Sequence, residues 1–485
     1  MSARIVIVGG GIAGLATAYS LQKESAAREL DLALTLVERD TRLGGKVVTD
    51  TPGGFVIEGG PDSFITQKPW ALELCRELGL EERLVGTNDG PRTTYVLRGG
   101  KLRKMPDGMM MIIPTRFMPF VTSGLISWRG KLRMGLDLLI PPRRDDADES
   151  LAHFIRRRLG EEALDVLAEP LMAGIHVSDA ETLSLQAAFP RFIDTERRYG
   201  SLTRGMVAAR RAAAAQAKEH PADKITAFMT LQRGLQEIIG ALEQAIHADV
   251  RLGTSVTGLA IDPDGTYHLT LSDGARLEAD AVVLATPAYV SAELLRDVAP
   301  EIAAKLDTIR YVSTATISLG YDASAFEHSL NGFGFVVPRS EPTRLLACSW
   351  TSTKFPQRAA PGTVLLRAFV GGPRREDLTM LEDGALVRLV REELETIMGV
   401  HAAPTVARVF RWHRANPQYE VGHLDRVSEI EALCPPGLYL TGSAYRGVGI
   451  PDCIRQGQDT ARSAAQHLVE RLAARRTAPE RHVSA

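Results

Sequence analysis

The chain has little cysteine, no surplus of either charge and no long apolar run, and each absence closes a class of function. Its four cysteines, Cys75, Cys348, Cys434 and Cys453, are scattered, with no CxxC pair and no histidine at metal-ligand spacing. That argues against a disulfide scaffold and a zinc site, so no metal is expected, and the thiols read as free in a reducing cytosol. Lysine and arginine total 57 against 59 acidic residues, a net charge of -2, and the cations are dispersed. Nucleic acid, which needs a basic face or stripe, is therefore not an expected partner. No uninterrupted apolar run approaches the 18 or so residues of a membrane span. Residues 109–140 are rich in Met, Phe, Ile and Leu but are broken by Arg116, Arg129, Lys131 and Arg133, so a peripheral membrane contact is compatible with them and a crossing is not. The apolar start, residues 5–21, carries Gly9, Gly10, Gly11 and Gly14 and runs into a charged segment without a small-residue cleavage site. A secretory signal is therefore not expected, and a cytoplasmic location is.

What is present is 485 residues at 45% hydrophobic and 24% charged, enough for two or three globular domains. Ile5-Val6-Ile7-Val8 leads into Gly9-Gly10-Gly11-Ile12-Ala13-Gly14 and an alanine-rich apolar helix. This is strand, GxGxxG turn, helix: Gly9 for the tight turn, Gly11 for backbone approach to a pyrophosphate, Gly14 for close helix–strand packing. A second strand over residues 32–37 ends at Glu38, whose carboxylate is placed to accept from the ribose hydroxyls of an unphosphorylated adenosine. GxGxxG alone is weak, but the flanking strand, helix and Glu38 make a dinucleotide site, with FAD and NAD both open at that point. Arg42-Leu43-Gly44-Gly45-Lys46 adds a glycine pair and two cations where a nicotinamide enzyme would go directly into its next βα unit, which favours FAD.

Two distant segments extend the pattern. Residues 279–287 read as a buried strand after a β-meander with Asp264-Gly265 and Asp273-Gly274 as turns. Residues 437–442 read as a strand leading through Tyr445, Arg446, Gly447, Val448 and Gly449 to a long helix from Cys453 to about Leu472. Glycines allow backbone to approach a planar ring, and a helix N-terminus aimed at it stabilises negative charge.

With these pieces in place, the sequence resembles the flavin-dependent porphyrinogen oxidases of haem synthesis, within the wider amine-oxidase-like FAD superfamily. The resemblance spans nearly the whole chain and rests on Glu58-Gly59-Gly60-Pro61-Asp62-Ser63-Phe64, residues 169–176 (EPLMAGIH), residues 230–236 (TLQRGLQ), residues 417–423 (PQYEVGH) and residues 447–453 (GVGIPDC). The GPDSF and PQYxVGH runs look like the soluble bacterial branch that acts on coproporphyrinogen III rather than the mitochondrial branch that acts on protoporphyrinogen IX. The resemblance implies FAD contacts at Gly9, Gly11, Gly14, Glu38, Arg39, Gly45, Lys46, Gly60, Pro61, Val256, Gly442, Val448, Gly449 and Ile450, some through backbone only. It implies a six-electron oxidation of the porphyrinogen, with molecular oxygen as acceptor and hydrogen peroxide as by-product. No side-chain acid or base is required, because pyrrole N–H protons leave as the macrocycle tautomerises, and no catalytic residue is assigned. Arg446 stands where relatives often hold a small or acidic residue, which puts substrate contacts there in doubt.

The expected fold is α/β with α+β inserts: a discontinuous Rossmann-like FAD-binding domain (1–68, 225–297 and 430–473), a mixed-sheet substrate domain (69–92, 200–224 and 298–429), a helical domain (93–199) and a disordered tail (474–485). Leu151, Phe154, Ile155, Leu159, Leu164 and Leu167 carry the helical periodicity, while residues 312–319, 333–337, 345–350 and 364–370 alternate as strands do. The run 208–217 reads as helix or mobile linker, and Met109-Met110-Met111 as adaptable core or cavity wall. Lys68 and Arg446 are the candidate propionate-binding cations, and His176 reads equally as a substrate contact or a packed core histidine. Rival classes are a flavin amine oxidase, a carotenoid desaturase, and a flavin-free binding protein of the same fold resembling the Rab GDP-dissociation inhibitors.

Overall fold

The computed structural model describes residues 2–88, 90, 92–219, 225–326 and 328–477. The apolar run Ala3–Val8 is the middle strand of a five-stranded parallel sheet ordered 249–251, 32–37, 3–8, 281–284 and 438–440. Strands from the start, middle and end of the chain thus meet in one sheet. Both faces of its centre are covered, which is why strands 3–8 and 281–284 are near-continuous apolar runs rather than alternating. Helices Ile12–Ala27, Gln236–Ala245 and Ile450–Thr477 pack on one face. The first and last of these lie close because Gly457 has no side chain: a Cβ there would stand 2.8 Å from the Ala13 carbonyl oxygen. The antiparallel ribbon Val256–Ile261, Tyr267–Leu271 and Arg276–Ala279 covers the other face with helices Ala288–Leu295, Pro300–Asp307 and His423–Leu433. The ribbon turns at Gly265 and Gly274, with φ +79° and +84°, as the two Asp-Gly pairs predict.

A seven-stranded mixed sheet runs 406–417, 311–322, 363–371, 347–350, 334–336, 94–98 and 101–104, antiparallel except between 334–336 and 94–98. Four of these strands are those read from alternation. The alternation does not mark a wet face, however, because Tyr311–Asp322 is buried at every position but its last. Ala315, Ile317 and Leu319 share a core with Leu386, Val390 and Leu394 of helix Asp383–Met398. On the opposite face Thr316 donates from Oγ1 to the Gly59 carbonyl at 3.0 Å, and Gly320 makes room for the Phe55 ring. The small, polar side of the strand is turned toward the glycine loop of the site.

The third assembly is helical, from Phe117–Thr122 to Leu202–Glu219, and all six periodic residues named above are buried in its core. Several elements depart from the expected boundaries. Strands Thr94–Arg98 and Lys101–Lys104, expected in the helical insert, edge the mixed sheet. Helix Trp70–Glu77 buries Ala71, Leu72, Leu74 and Cys75 in the dinucleotide core. Helix Leu202–Glu219 joins the helical core through Leu202, so residues 208–217 are helix. The last helix continues to Thr477, where the Arg475 guanidinium pairs with the buried carboxylate of Asp280 at 2.8 Å. That corrects the first residues of the expected tail; the remainder, 478–485, lies outside the described residues, as do 220–224.

Candidate functional site

The first glycine turn is built by exclusion. A Cβ on Gly9, whose φ is +109°, would come within 2.9 Å of the Ala285 carbonyl oxygen, and one on Gly14 within 2.0 Å of the Gly9 carbonyl oxygen. At Gly11 nothing lies within 4 Å of the missing Cβ, so the turn is crowded on the protein side and open on the other. The sixteen-residue helix that begins here has no side-chain cap, which leaves its first N–H groups for a ligand.

The second glycine pair closes against the first. Gly44 N–H donates to the Gly10 carbonyl at 2.8 Å, and a Cβ on Gly45 would stand 3.2 Å from the Gly11 Cα. Arg42 staples this loop by donating to the carbonyls of Gly45 (2.6 Å), Leu43 (3.1 Å) and Val47 (3.3 Å). The Glu38 carboxylate accepts from Gly10 N–H at 2.6 Å and Asp40 N–H at 2.8 Å, which fixes it over the turn. Backbone bonds from Glu38 N–H to Arg251 and from Thr254 N–H to Glu38 bring the segment leading to Val256 alongside. Arg39 points to solvent, with the Asp40 carboxylate 3.6 Å from it.

The GPDSF loop packs behind. A Cβ on Gly60 would sit 1.9 Å from the Lys46 carbonyl oxygen, so only glycine allows these strands of backbone to touch. The Gly59 carbonyl accepts from Thr316 Oγ1 (3.0 Å), Arg367 Nη2 (3.0 Å) and Trp412 Nε1 (2.8 Å), and Arg367 also donates to Gly60. After Pro61, Asp62 pairs with Lys354 at 3.0 Å. Burial opposes ionisation of Asp62, but Lys354 and Arg367 outweigh it and hold the carboxyl well below the usual range.

The C-terminal segment closes the site. Gly442 has φ +118°, and its missing Cβ faces Ala13 in the first helix. Gly447 and Gly449 lie over Asp452, where a Cβ would come within 2.5 Å of its Cβ and 3.1 Å of its Oδ2, respectively. Val448 packs against the helical core and Ile450 against the dinucleotide core. Lys68 reaches the same place, its Nζ donating to both oxygens of Asp452 at 2.8 and 2.7 Å. His176 sits edge-on to Phe189 and is pushed down to about 4 by burial, with the Lys68 ammonium adding to it, so it is neutral at physiological pH.

Arg446 is held elsewhere. Its guanidinium turns onto helix His423–Leu433, donating to Glu431 at 2.5 and 2.9 Å and to Ser428 at 3.1 Å. Lys68 is likewise paired with a carboxylate, and the two differ in place: Arg446 is held on helix His423–Leu433, whereas Lys68 is held at Asp452, beneath Gly447 and Gly449.

Sequence reasoning quoted the PQYxVGH run without finding its work. Tyr419 donates to the Ser443 carbonyl at 2.9 Å and accepts from Gly447 N–H at 2.8 Å, bracing the loop that holds the glycines. The His423 ring stacks on it at 3.9 Å. Because the partner of His423 Nε2 is the Tyr445 carbonyl at 2.9 Å, Nε2 carries the proton, and Nδ1 is buried with no partner among the described residues. Burial outweighs that carbonyl and takes the imidazole down to about 4.

These residues fit a flavin dinucleotide. Lys46 is half-buried, its ammonium lowered from the ordinary range by desolvation, and its bonded partner among the described residues is a neutral carbonyl, that of Ala415. A half-buried cation with no carboxylate bonded to it among the described residues, beside an uncapped helix N-terminus and an open Gly11, suits a pyrophosphate. A parallel sheet carrying that cradle, completed by a C-terminal glycine loop and roofed by a second sheet, defines a flavin-dependent oxidoreductase.

The chain belongs to the flavin containing amine oxidoreductases, whose family model matches residues 12–465, and its cofactor is FAD. It is 40% identical over 468 residues to the coproporphyrinogen III oxidase of Bacillus subtilis, covering 96% of this chain and 98% of that one. It is 32% identical to the chloroplastic protoporphyrinogen oxidase 1 of Arabidopsis thaliana, over 94% of this chain and 87% of that one. A crystal structure from Exiguobacterium sp. 255-15, assigned as a protoporphyrinogen oxidase, superposes with a TM-score of 0.84 at 34% identity, covering 96% and 99% of the two chains.

Proposed function

We propose that this chain oxidises coproporphyrinogen III to coproporphyrin III in haem biosynthesis, in the cytoplasm, with oxygen as acceptor and hydrogen peroxide released. The observation that carries this reading is the 40% identity to the Bacillus enzyme over nearly both full lengths, together with a complete set of glycine approaches at all three flavin segments. Gly9, Gly11, Gly14, Glu38, Arg39, Gly45, Lys46, Gly60, Pro61, Val256, Gly442, Val448, Gly449 and Ile450 would hold the dinucleotide, many through backbone. The three-part division, with its helical and mixed-sheet inserts around the dinucleotide unit, belongs to the same proposal.

When bound, the flavin supplies the hydride acceptor, three hydrides and three protons being removed for each porphyrinogen. The protein's own part is placement and exclusion of water. Lys68, anchored by Asp452 beside the glycine loop, is the cation offered to a propionate. His176, neutral, serves as an uncharged wall next to it. The macrocycle sheds its pyrrole protons to solvent, so no side-chain base is needed.

The test is oxidation of coproporphyrinogen III by purified yellow protein in air, following porphyrin fluorescence and peroxide together. Three peroxides per porphyrin are expected. Oxidation of an amine in preference to any porphyrinogen would move the chain to another branch of its family.

A further inference from the structure

Helix Glu169–His176 lies between two irregular turns. It follows a wide π-helical turn, Leu164–Ala168, and gives way to Val177, whose φ of +49° is a strained conformation for a β-branched residue. Such strain persists only where the surroundings hold it, and it gathers at ligand clamps and switch regions. Here the mixed sheet and the strand end next to it do the holding. Gln418 Nε2 donates to the Val177 carbonyl at 3.2 Å, and a Cβ on Gly372 would stand 3.6 Å from the Val177 side chain. The last residue of the helix is His176, whose ring feels the Lys68 ammonium. The helix therefore carries one wall of the candidate substrate site.

Four charges close the base of this segment. Glu169 begins the helix and Asp179 lies just beyond its end, yet both carboxylates meet the same two guanidiniums. Arg339, after strand 334–336, lies 3.1 Å from Glu169 and 3.9 Å from Asp179. Arg374, after strand 363–371, lies 3.6 Å from Glu169 and 3.1 Å from Asp179. The side chains at the two ends of segment 169–179 thus meet at one point, and cations next to the mixed sheet fix that point. Glu169 is buried, and its Oε2 has no hydrogen-bond partner among the described residues, while both arginines keep part of their surface in solvent. Asp165, on the π-helical turn, is the further acid that Glu169 faces, with Glu161, Glu181 and Arg156 grouped around Asp165.

We propose that Glu169 is a positioning residue for substrate binding: with Arg339, Arg374 and Asp179 it sets where the His176 wall stands against Lys68, and its proton decides how firmly. The substrate in this proposal rests on the oxidase reading; the clamp does not. Burial of the Glu169 carboxyl outweighs Arg339, with Asp179 and Asp165 adding to it, and pushes the group from an ordinary 4.5 up to about 7. A carboxyl that holds its proton more tightly in the clamped arrangement than in water favours that arrangement while protonated, so proton loss loosens it. The clamp is firm on the acid side of about 7 and slackens as the pH rises through that value.

The test is the pH profile of KM and kcat for coproporphyrinogen III with flavin-loaded protein, beside hydrogen exchange of the peptide 169–179 corrected for the intrinsic rate at each pH. From about pH 6.5 to about 8.5 the wild-type KM should rise on the order of tenfold with kcat within about twofold, and protection of the peptide should fall with it. Glu169→Gln keeps the shape of the neutral carboxyl at every pH, so its KM and its protection should hold their acid-side values throughout. Arg374→Gln should raise KM already on the acid side, and Arg374→Lys should restore part of it. Asp165→Asn should leave the rise in place. A flat wild-type profile, a Glu169→Gln profile that still follows wild type, or loss of the rise in Asp165→Asn would overturn the proposal. So would a uniform fall of kcat in Glu169→Gln at every pH, the mark of a residue that only supports the fold. If no porphyrinogen is oxidised, the oxidase reading fails, and the pH dependence of peptide protection in wild type and Glu169→Gln alone decides for or against the clamp.

Discussion

Replacing Arg358 by methionine removes one half of a buried ion pair behind the glycine loop. Arg358 is 0% exposed and Glu58 3%. The guanidinium donates from Nη2 to Glu58 at 2.8 Å and to Thr230 Oγ1 at 2.6 Å. Glu58 also accepts from Leu235 N–H and Thr49 Oγ1, each at 2.8 Å, so this one carboxylate joins the loop before Gly59 to the start of helix Gln236–Ala245. With Arg358→Met the carboxylate keeps two neutral donors and loses its bonded counter-charge, with Arg367 left as the remaining cation nearby, a situation that costs about 3–5 kcal/mol. Glu58→Gln leaves the guanidinium uncompensated and should cost a similar amount. The double variant removes both charges and should recover most of the loss, with a coupling energy of about 2–3 kcal/mol. The assay is urea unfolding of the flavin-loaded protein, followed by circular dichroism and by flavin release. Single variants within about 1 kcal/mol of wild type, or a double variant no better than either single, would refute this.

Acid stability should depend on His423: its folded pKa is about 4 against an ordinary 6.5, so its contribution is whole above about 6.5 and is lost as the pH falls toward 4. By pH 5 roughly 2 kcal/mol should be gone, and a thermal midpoint measured against pH should be flatter for His423→Gln than for wild type. Lys68→Met should raise KM for coproporphyrinogen III by roughly ten- to hundredfold, the worth of one charge-assisted contact, with kcat within about twofold. A fall in kcat without a change in KM would remove Lys68 from substrate binding. Arg446→Gly should leave KM within about twofold and cost at most about 1 kcal/mol, since it breaks a partly exposed pair with Glu431; a large KM effect in steady-state assays would reinstate it.

The legible parts of the molecule were those where backbone geometry admits a single residue type. Gly9, Gly14 and Gly60 are glycine because a Cβ would strike a carbonyl oxygen, and such constraints show as fixed runs in the sequence. The helical core was legible because each apolar position repeats with the helix. Strand Val406–Pro417 was missed because it is an edge strand with Arg408, Arg411, His413 and Arg414 interleaved, which hides its apolar alternation. The buried charges were missed for a different reason. Glu58 and Arg358 lie 300 positions apart, and nothing local announces that either is buried. The direction of Arg446 was not legible because a long side chain on a loop can swing either way, and the helix bearing Glu431 decides which. The bracing by Tyr419 and His423 needed the loop from Ser443 to Gly447 to be seen beside them.

The most direct test mixes the oxidised, flavin-loaded protein anaerobically with coproporphyrinogen III or protoporphyrinogen IX and follows bleaching of the flavin band. Without oxygen only the transfer from substrate is observed, free of turnover and of peroxide chemistry. Flavin reduction by coproporphyrinogen III, faster at equal concentration than by protoporphyrinogen IX and slowed at low substrate by Lys68→Met, is the expected result. A protein that stays colourless after incubation with FAD, or a flavin reduced by the dicarboxylate and untouched by the tetracarboxylate, would contradict it.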